Sequence, residues 1–313
     1  MASISVIIPL FNKEHFIKKT LLSVLSQTFS DFEVLLINDG STDGSVDVVN
    51  SFIDERITLH TTKNKGVSHA RNYGVSKSSS DLIAFLDADD LWEPNHLENL
   101  NSLYTSFPKC GLYAAAYYKQ FFNGKKMNAH FNGVSTDHFG VIEDYFSASI
   151  TDSIAWTSAV LIPKKTILEI GGFDEEMRSG QDTDLWIRIA LKESVAFSAI
   201  ASANKIILSP QYHLSYSSSR IDRMKLFENF KNLETPNTSF KKYMDLNRFS
   251  VAIERKVAGD SGRYRQLKKA IDPLSLNFGQ RVLLNTPSII VGLLKQIQNA
   301  LLRCNIYLSP FKK

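Results

Sequence analysis

Residues 33–45 read EVLLINDGSTDGS. The stretch joins an apolar run that ends at Asn38 to a loop with two glycines, and a helical pattern begins at Ser45. A short apolar run, a tight turn and a helix make up the unit from which βαβ folds are built. We therefore predict a strand at residues 33–38 within an α/β sheet.

The same unit repeats through the first hundred residues, where β-branched runs alternate with amphipathic helical patterns. This alternation predicts a largely parallel sheet flanked by helices. The predicted strands are residues 5–8, 33–38, 57–61 and 82–87, and the predicted helices are residues 45–53, 67–77, 94–107 and a first helix that follows Asn12. Asn12 is the candidate N-cap of that first helix, because its side chain can accept a hydrogen bond from a free backbone N–H group.

The rest of the chain divides into two parts. Strand-like runs at residues 111–118 and 158–162, and a helix that starts near Asp182, continue the α/β pattern to about residue 220. Beyond that point the strands stop and basic helical segments follow. We therefore predict one domain over residues 1–220 and a helical basic C-terminal extension over residues 221–313.

The cysteines and the N-terminus predict a cytoplasmic protein. Cys110 and Cys304 lie far apart, and neither has the spacing of a redox or metal-binding pair. The apolar run that begins at Ile4 is too short for a signal peptide and has no basic segment before it. The phosphate-binding loop and dinucleotide glycine motifs are both absent from the sequence.

The net charge of +4 is divided unevenly along the chain. Residues 241–313 contain 14 Lys or Arg and 4 Asp or Glu, a charge of +10, which leaves −6 for residues 1–240. A basic segment indicates an anionic partner, membrane lipid or nucleic acid, and a solvated helical face is the alternative. Apolar residues recur at helical spacing from 288 to 302. Spanning a bilayer takes roughly 20 apolar residues, so this stretch is too short to cross a membrane. It could lie in the membrane interface, and packing against the α/β domain or a second subunit is the alternative.

Three carboxylates, Asp87, Asp89 and Asp90, come at the end of an apolar predicted strand. Ligands of open α/β sheets bind at the carboxyl ends of the strands. Burying like charges is costly unless a cation neutralises them. In an extended segment Asp87 and Asp89 project to the same side, and such oxygen ligands suit Mg²⁺ or Mn²⁺. A solvated loop is the alternative interpretation.

Two other acidic residues adjoin predicted strands or helices. Asp39 follows the second strand, where it could accept hydrogen bonds from a base or ribose, and an Asx turn is the alternative. Asp182 precedes an apolar helical run. It could therefore be a general base toward an attacking hydroxyl, or it could simply cap the helix.

Five motifs follow one another over about two thirds of the chain. They are VIIPLFN at 6–12, NDGSTD at 38–43, NKGVSHARN at 64–72, FLDADD at 85–90, and GGFD at 171–174 followed by QDTDLW at 181–186. Together they resemble the family 2 glycosyltransferases. The resemblance implies the GT-A fold, a Rossmann-like, mostly parallel central sheet flanked by helices. It also implies that residues 1–107 bind a nucleotide-sugar and residues 108–220 bind the acceptor.

The resemblance also implies the roles of individual residues. Asp182 would be the catalytic base, beside Gln181 where family members commonly carry Glu. Asp87 and Asp89 would form the D-x-D motif that binds Mn²⁺ or Mg²⁺. His213 is a further candidate metal ligand, and a packing or surface histidine is the alternative. The implied donor-binding residues are Pro9, Phe11, Asp39, Gly66, Arg71, Asp87 and Ala88, with Arg71 near the diphosphate or against the acidic residues.

We therefore predict a metal-dependent, inverting glycosyltransferase. It would move a sugar from a nucleotide diphosphate, UDP foremost, to a hydroxyl of a saccharide or lipid-linked saccharide during synthesis of a bacterial O-antigen, capsule or exopolysaccharide. The Q-x-x-R-W motif of processive relatives is absent, which favours the addition of a single sugar. A sugar-nucleotide pyrophosphorylase and an inactive carbohydrate-binding scaffold remain alternatives. We expect a cytoplasmic protein held by its basic extension on the inner face of the plasma membrane, with no nucleic-acid partner.

Overall fold

A computed structural model describes residues 2–121, 124–207 and 223–303. The strands in these ranges are β1 (Ile4–Leu10), β2 (Phe32–Asn38), β3 (Ile57–Thr61), β4 (Leu82–Phe85), β5 (Leu91–Trp92), β6 (Leu112–Gln120), β7 (Lys126–Asn128), β8 (Phe139–Val141), β9 (Val160–Pro163) and β10 (Val195–Ile206). They form one sheet in the order β3-β2-β1-β4-β9-β6-β10-β5, with β7 beside β6 and β8 beside β10.

Helices flank this sheet and follow it along the chain. They are α1 (Ile17–Leu25), α2 (Ser45–Asn50), α3 (Val67–Lys77), α4 (His96–Ser106), α5 (Tyr145–Ala148), α6 (Lys164–Ile170), α7 (Gln181–Ala190), α8 (Met224–Phe230), α9 (Thr238–Val257), α10 (Ser261–Ala270), α11 (Phe278–Asn285) and α12 (Ser288–Arg303). The predicted α/β fold with a central sheet and C-terminal helices is confirmed.

The first four strands are parallel and bring their carboxyl ends to one edge of the sheet. Leu10 at the end of β1 pairs with Asn38 at the end of β2, and Ile7 pairs with Phe85 at the end of β4. The loops that follow these strands are therefore neighbours. All four predicted strands are present, and α3 has the predicted bounds.

The second half of the sheet is mixed. Strand β9 lies antiparallel between β4 and β6, and β10 runs parallel to β6. Because β9 pairs with β4, the sheet continues without a break from the first half of the chain into the second. Strands β6 and β9 correspond to the runs predicted at residues 111–118 and 158–162.

The prediction that Asn12 caps the first helix is wrong. Helix α1 begins at Ile17, and its N-cap residue makes no side-chain hydrogen bond. The Asn12 side chain instead accepts a hydrogen bond from the backbone N–H of Thr42, at 2.8 Å. Asn12 is used by a loop thirty positions further along the chain, which local helix signals cannot reveal.

The C-terminal extension packs on the α/β body through α9. The Phe240 ring lies 4.5 Å from that of Phe146 in α5, and the Tyr243 ring lies 5.5 Å from it. Arg248, also in α9, forms a buried ion pair with Glu234. Helix α9 therefore attaches the C-terminal extension to the α/β body.

Helix α12 packs on α9 and leaves most of its apolar side chains in solvent. Val291 is buried, while Ile289 is 78% exposed, Leu293 54% and Ile297 55%. None of the helices in the described ranges is both long enough and apolar enough to cross a bilayer.

Candidate active site

The acidic segment after β4 folds as a turn. The backbone N–H of Asp90 donates to the carbonyl oxygen of Asp87 at 3.0 Å, so the extended geometry predicted for Asp87 and Asp89 is wrong. The Asp87 carboxylate accepts a hydrogen bond from Arg71 at 2.7 Å. The Asp89 carboxylate pairs instead with Lys13, at 2.6 Å. The two carboxylates are thus neutralised by separate cations.

Asp90, the third carboxylate of this segment, is part of the protein interior. Its oxygens accept hydrogen bonds from the hydroxyl of Ser158 at 2.7 Å and from the backbone N–H of Ile206 at 3.1 Å. Burial, together with the charges of Asp89 and Asp87, raises the pKa of Asp90 well above its usual value. Asp90 therefore joins the acidic turn to β10.

Arg71 projects from α3 into the space beside the acidic turn and is buried. One nitrogen, Nη2, donates to Asp87, and the guanidinium lies over the ring of Phe173 at 5.1 Å. Its Nε and Nη1 groups have no hydrogen-bond acceptor within the described part of the chain. Buried donors without acceptors are costly, so Arg71 retains capacity for an anionic ligand.

Asp39 fixes the loop that leads into α3. It is buried at the end of β2, and its two carboxylate oxygens accept the backbone N–H groups of Lys65 and Gly66, each at 2.8 Å. The Asx turn considered for this segment is made by Asp43, whose carboxylate oxygen accepts from the backbone N–H of Ser45, two residues further on, at 3.0 Å. Each Asp39 oxygen keeps a lone pair that a ligand could use.

The remaining donor-binding candidates lie in or beside the same loops. Pro9 is in β1, Phe11 begins the loop after it, and Gly66 is the residue before α3. Ala88 is buried in the acidic turn, and its carbonyl oxygen accepts from the Thr20 hydroxyl at 2.9 Å. The structure brings these residues to one edge of the sheet, and their contacts with a donor stay predictions.

Asp182 lies inside α7, and the alternative in which it caps the helix is wrong. The N-cap position is taken by Gly180, which has a φ of 76°. Glycine adopts this left-handed conformation with little strain. Asp182 follows as the second helical residue, and its side chain accepts from the N–H of Thr183 at 2.7 Å. Its carboxylate is therefore attached to a fixed backbone.

Two buried tyrosines lie near Asp182. Burial, with an added contribution from the Asp182 charge, raises the pKa of Tyr145 to about 12. Tyr243 in α9 has its pKa raised well above the usual value by burial, by Tyr145 and by Asp182. The C-terminal extension thus contributes to the surroundings of the predicted base.

Asp184 and Arg188 hold α7 in place, and sequence reasoning missed both. Asp184 is buried and accepts a hydrogen bond from Arg188 Nε at 2.8 Å, while Nη2 of the same guanidinium lies 2.7 Å from the same carboxylate oxygen. Arg188 also donates to the carbonyl oxygens of Ile170 and Gly172. The i,i+4 spacing of Asp184 and Arg188 is a sequence signal for a helical pair, but their burial is not visible in the sequence.

Phe173 connects the two sides of the site. Its ring packs edge-on against Phe85 in β4, at 5.2 Å, and edge-on against Trp186 in α7, at 6.0 Å. Its backbone is held by Asn72 of α3, which both donates to its carbonyl oxygen and accepts from its N–H. Phe173 therefore links the arginine-bearing helix to the helix that carries Asp182.

The acidic turn fits a divalent cation bound together with phosphate. The described ranges hold no group of three or more His, Cys, Asp or Glu side chains arranged for a metal, and His213 lies outside those ranges. However, the Lys13 ammonium already places a cation on Asp89. Mg²⁺ is usually held by one or two carboxylates, with substrate phosphates and water in the remaining positions. Asp89 can supply one such carboxylate, and Asp87 lies in the same turn.

Comparison with known proteins identifies the class. A mixed α/β sheet of this order, with acidic residues at its strand ends, is the architecture of a GT-A glycosyltransferase. Residues 5–167, about half of the chain, match the family described as Glycosyl transferase family 2. The chain belongs to that family.

Two relatives show how far the similarity extends. The chain is 32% identical over 197 residues to an uncharacterized glycosyltransferase of Rickettsia felis, a match that covers 61% of this chain and 31% of that protein. It is 43% identical over 96 residues to the Escherichia coli UDP-Glc:alpha-D-GlcNAc-diphosphoundecaprenol beta-1,3-glucosyltransferase WfgD, which covers 30% of this chain and 38% of that protein. The chain thus spans about a third of the length of these relatives.

The fold is also similar to a solved structure. Staphylococcus aureus TarS 1-349 in complex with UDP-GlcNAc superimposes with a TM-score of 0.65 at 16% identity, over 98% of this chain and 93% of that one. The superposition includes the C-terminal helices as well as the sheet.

Proposed function

We propose that this glycosyltransferase moves one sugar from a UDP-sugar to a hydroxyl of a saccharide or lipid-linked saccharide, with inversion, in building a bacterial surface polysaccharide. The observation that carries the proposal is the cluster at the end of β4, where Asp87 and Asp89 lie beside a buried arginine with two unused donors. Support for the donor comes from TarS, solved with UDP-GlcNAc, and support for the acceptor from WfgD, named for a diphosphoundecaprenol-linked sugar.

In this proposal the donor lies across the loops at the carboxyl ends of β1, β2 and β4. Asp39 and the loop ending at Gly66 would hold the nucleoside, and the free donors of Arg71 would bind the diphosphate. Asp87 and Asp89 would hold Mn²⁺ or Mg²⁺. A bound divalent cation would supply positive charge to the departing diphosphate.

Asp182 would take the proton from the attacking hydroxyl. A helix that is fixed at its first turn by Gly180 and at its fourth residue by Asp184 holds this carboxylate at a constant position. One base acting from the face opposite the leaving group gives inversion at the anomeric carbon. Gln181, which stands beside the base, has a buried side-chain oxygen without a hydrogen-bond donor in the described ranges, and an acceptor hydroxyl could supply one.

The test uses the full-length protein with a panel of UDP-Glc, UDP-Gal, UDP-GlcNAc and UDP-GalNAc, Mn²⁺, and a GlcNAc-diphospholipid of short chain. We expect slow release of UDP from one donor and faster release with acceptor, both lost on chelation. Asp182→Asn should retain UDP binding but lower transfer by roughly 10²-fold or more, as expected when a positioned base is lost. The exposed Asp137→Asn is the matched control and should transfer normally.

Three outcomes contradict parts of this proposal. Near-normal transfer by Asp182→Asn would reject Asp182 as the base. If no UDP-sugar in the panel is hydrolysed or transferred, the inactive scaffold becomes the better interpretation. Formation of a nucleotide-sugar from UTP and a sugar phosphate would favour the pyrophosphorylase alternative.

We also propose that the C-terminal helices lie on an anionic membrane surface, where a lipid-linked acceptor would be found. The support is the exposed apolar side of α12 together with exposed basic residues on the neighbouring α10 and α11, all of which pack on α9. Those basic residues are Arg263, Arg265, Lys268, Lys269 and Arg281. Each basic group near an anionic surface contributes on the order of 1 kcal/mol, and an apolar helix face adds to this.

Flotation with liposomes that contain phosphatidylglycerol tests the membrane proposal. Removal of the whole extension would expose the α9 contacts with α5, so point changes are the better probe. A triple Ile289→Ser, Leu293→Ser, Ile297→Ser variant should lose binding at low salt. Leu168→Ser removes an exposed leucine of α6 and should bind normally. Equal flotation of the triple variant and the control would reject the assignment to α12.

A further inference from the structure

Lys13 occupies an unusual position for a lysine of a surface loop. It follows β1, yet its side chain is only 11% exposed and its ammonium lies 2.6 Å from the carboxylate of Asp89, itself 21% exposed. Lysine side chains usually extend into solvent, because their rotamer freedom is lost when they are held. A partly buried contact with the acidic turn therefore indicates a specific role for Lys13.

The backbone of the loop is arranged to direct Lys13 toward the acidic turn. Asn12 has a φ of 51°, a left-handed conformation that is uncommon for residues other than glycine. Two contacts hold it there. The Asn12 side chain accepts from Thr42 in the loop after β2, and the backbone N–H of Lys13 donates to the hydroxyl of Ser45, the first residue of α2, at 2.7 Å. These contacts hold Asn12 in an uncommon backbone conformation, and that conformation fixes the position from which the Lys13 side chain reaches Asp89.

Lys13 completes the charge balance of the turn. Asp87 is paired with Arg71, whose guanidinium is buried and cannot follow a ligand far. Asp90 is satisfied by a hydroxyl and a backbone N–H. Asp89 is left with the ammonium of Lys13, which sits at the end of a flexible four-carbon stem and can exchange one oxygen partner for another.

We propose that Lys13 is a resident counter-ion that neutralises Asp89 in the empty enzyme and moves to the donor diphosphate when a divalent cation binds Asp89. This inference rests on the proposed function of the acidic turn. An ammonium and a divalent cation bound to the same carboxylate would repel each other strongly, because the two positive charges would lie only a short distance apart. A lysine released next to the arriving phosphates has a new anionic partner within reach. Lys13 thereby lowers the affinity of Asp89 for a divalent cation in the absence of nucleotide and raises the affinity for the nucleotide once the cation is bound.

The inference predicts two effects of opposite sign for Lys13→Met. Mn²⁺ binding without nucleotide, measured by the loss of the free-ion electron paramagnetic resonance signal, should become about 5- to 10-fold tighter, because the competing ammonium is gone. UDP binding in saturating Mn²⁺, measured by calorimetry, should become about 10-fold weaker, because one charge-assisted contact with the diphosphate is lost. Lys13→Gln should change both affinities in the same directions.

Lys18→Met is the matched control, because it removes the same charge from an exposed position on α1. Its Mn²⁺ and UDP affinities should stay within about 2-fold of those of the wild type, as exposed charges are screened by solvent and salt. If only the local charge mattered, Lys13→Met and Lys18→Met would change the Mn²⁺ and UDP affinities alike. If the role of Lys13 were purely structural, Lys13→Met would weaken the binding of both Mn²⁺ and UDP. Either result, or unchanged Mn²⁺ affinity in Lys13→Met, would overturn the inference. Sugar transfer by the wild type tests the proposed function separately, because both measurements here use only Mn²⁺ and UDP.

Discussion

Replacement of Arg188 by methionine should lower the stability of the whole domain, because the contacts of one guanidinium with Asp184, Ile170 and Gly172 are lost. Asp184 is almost fully buried, and Arg188 is its ion-pair partner: Nε donates a hydrogen bond to the carboxylate at 2.8 Å, and Nη2 lies 2.7 Å from the same oxygen. Asn229 donates a hydrogen bond to the other carboxylate oxygen, at 3.1 Å. In Arg188→Met the Asp184 charge would remain in the interior with one neutral partner, and the carbonyl oxygens of Ile170 and Gly172 would lose a donor.

The magnitude follows from the burial of the two partners. Removal of one member of a buried ion pair costs about 3–5 kcal/mol, because an uncompensated charge is left behind. The side chain of Arg188 is 25% exposed, so water can partly solvate the vacated space, and we expect about 3 kcal/mol. Stabilities of native proteins are about 5–15 kcal/mol, so this would be a large fraction of the total.

Urea unfolding followed by tryptophan fluorescence measures the effect, since Trp186 lies in the same helix. Lys192→Met removes an exposed positive charge just after α7 and should change stability by no more than about 0.5 kcal/mol. Adding Asp184→Asn to Arg188→Met removes the stranded charge and should restore part of the loss. A loss below about 1 kcal/mol for Arg188→Met would refute the reasoning, as would a double variant that is less stable than the single one.

Two further predictions concern buried polar groups. Asp39→Asn should destabilise the folded conformation of the loop before α3 by about 1–3 kcal/mol and weaken UDP binding, because the amide NH₂ would face the N–H of Lys65 or Gly66. Protease cleavage in this loop should therefore become faster, and an unchanged cleavage rate would contradict the prediction. Burial lowers the pKa of His96 to about 3 from 6.5, so its contribution to stability is complete above pH 6.5 and is lost as the pH falls below that value. Urea titrations at pH 7.5 and 5.5 should therefore show a loss about 1 kcal/mol greater in the wild type than in His96→Asn.

The sequence predicted the parts of the fold that local patterns determine. The four parallel strands and α3 were predicted because each is a short apolar or periodic run bounded by turn residues. Helices α1, α2 and α4 were placed with less accurate bounds, since their ends depend on contacts with other loops. The mixed pairing around β9 could not be inferred, because strand direction in a sheet is a long-range property.

The site was predictable in composition but not in its contacts. Motif reasoning selected Asp87, Asp89 and Arg71, and the structure places the arginine against the first of these, one of the two positions considered for it. Lys13 was missed, because its partner lies 76 residues further along the chain and no local pattern indicates a pair at that separation. The alternative in which Asp182 caps α7 is wrong because Gly180 occupies the N-cap position, and the role of Asp182 as the base stays a prediction.

The contacts of Phe173 carry a consequence for how sequences of this kind can diverge. The Phe173 ring touches Phe85 in β4, within the half proposed to bind the donor, and Trp186 in α7, within the half proposed to bind the acceptor. It also lies beneath the guanidinium of Arg71. A larger or smaller side chain at this position would disturb the packing of both Phe85 and Trp186, because closely packed interiors respond to a change of even one methylene group. If the two halves bind donor and acceptor as proposed, we expect substitutions that change the choice of either ligand to lie in the surrounding loops, because a substitution of Phe173 would disturb both halves together.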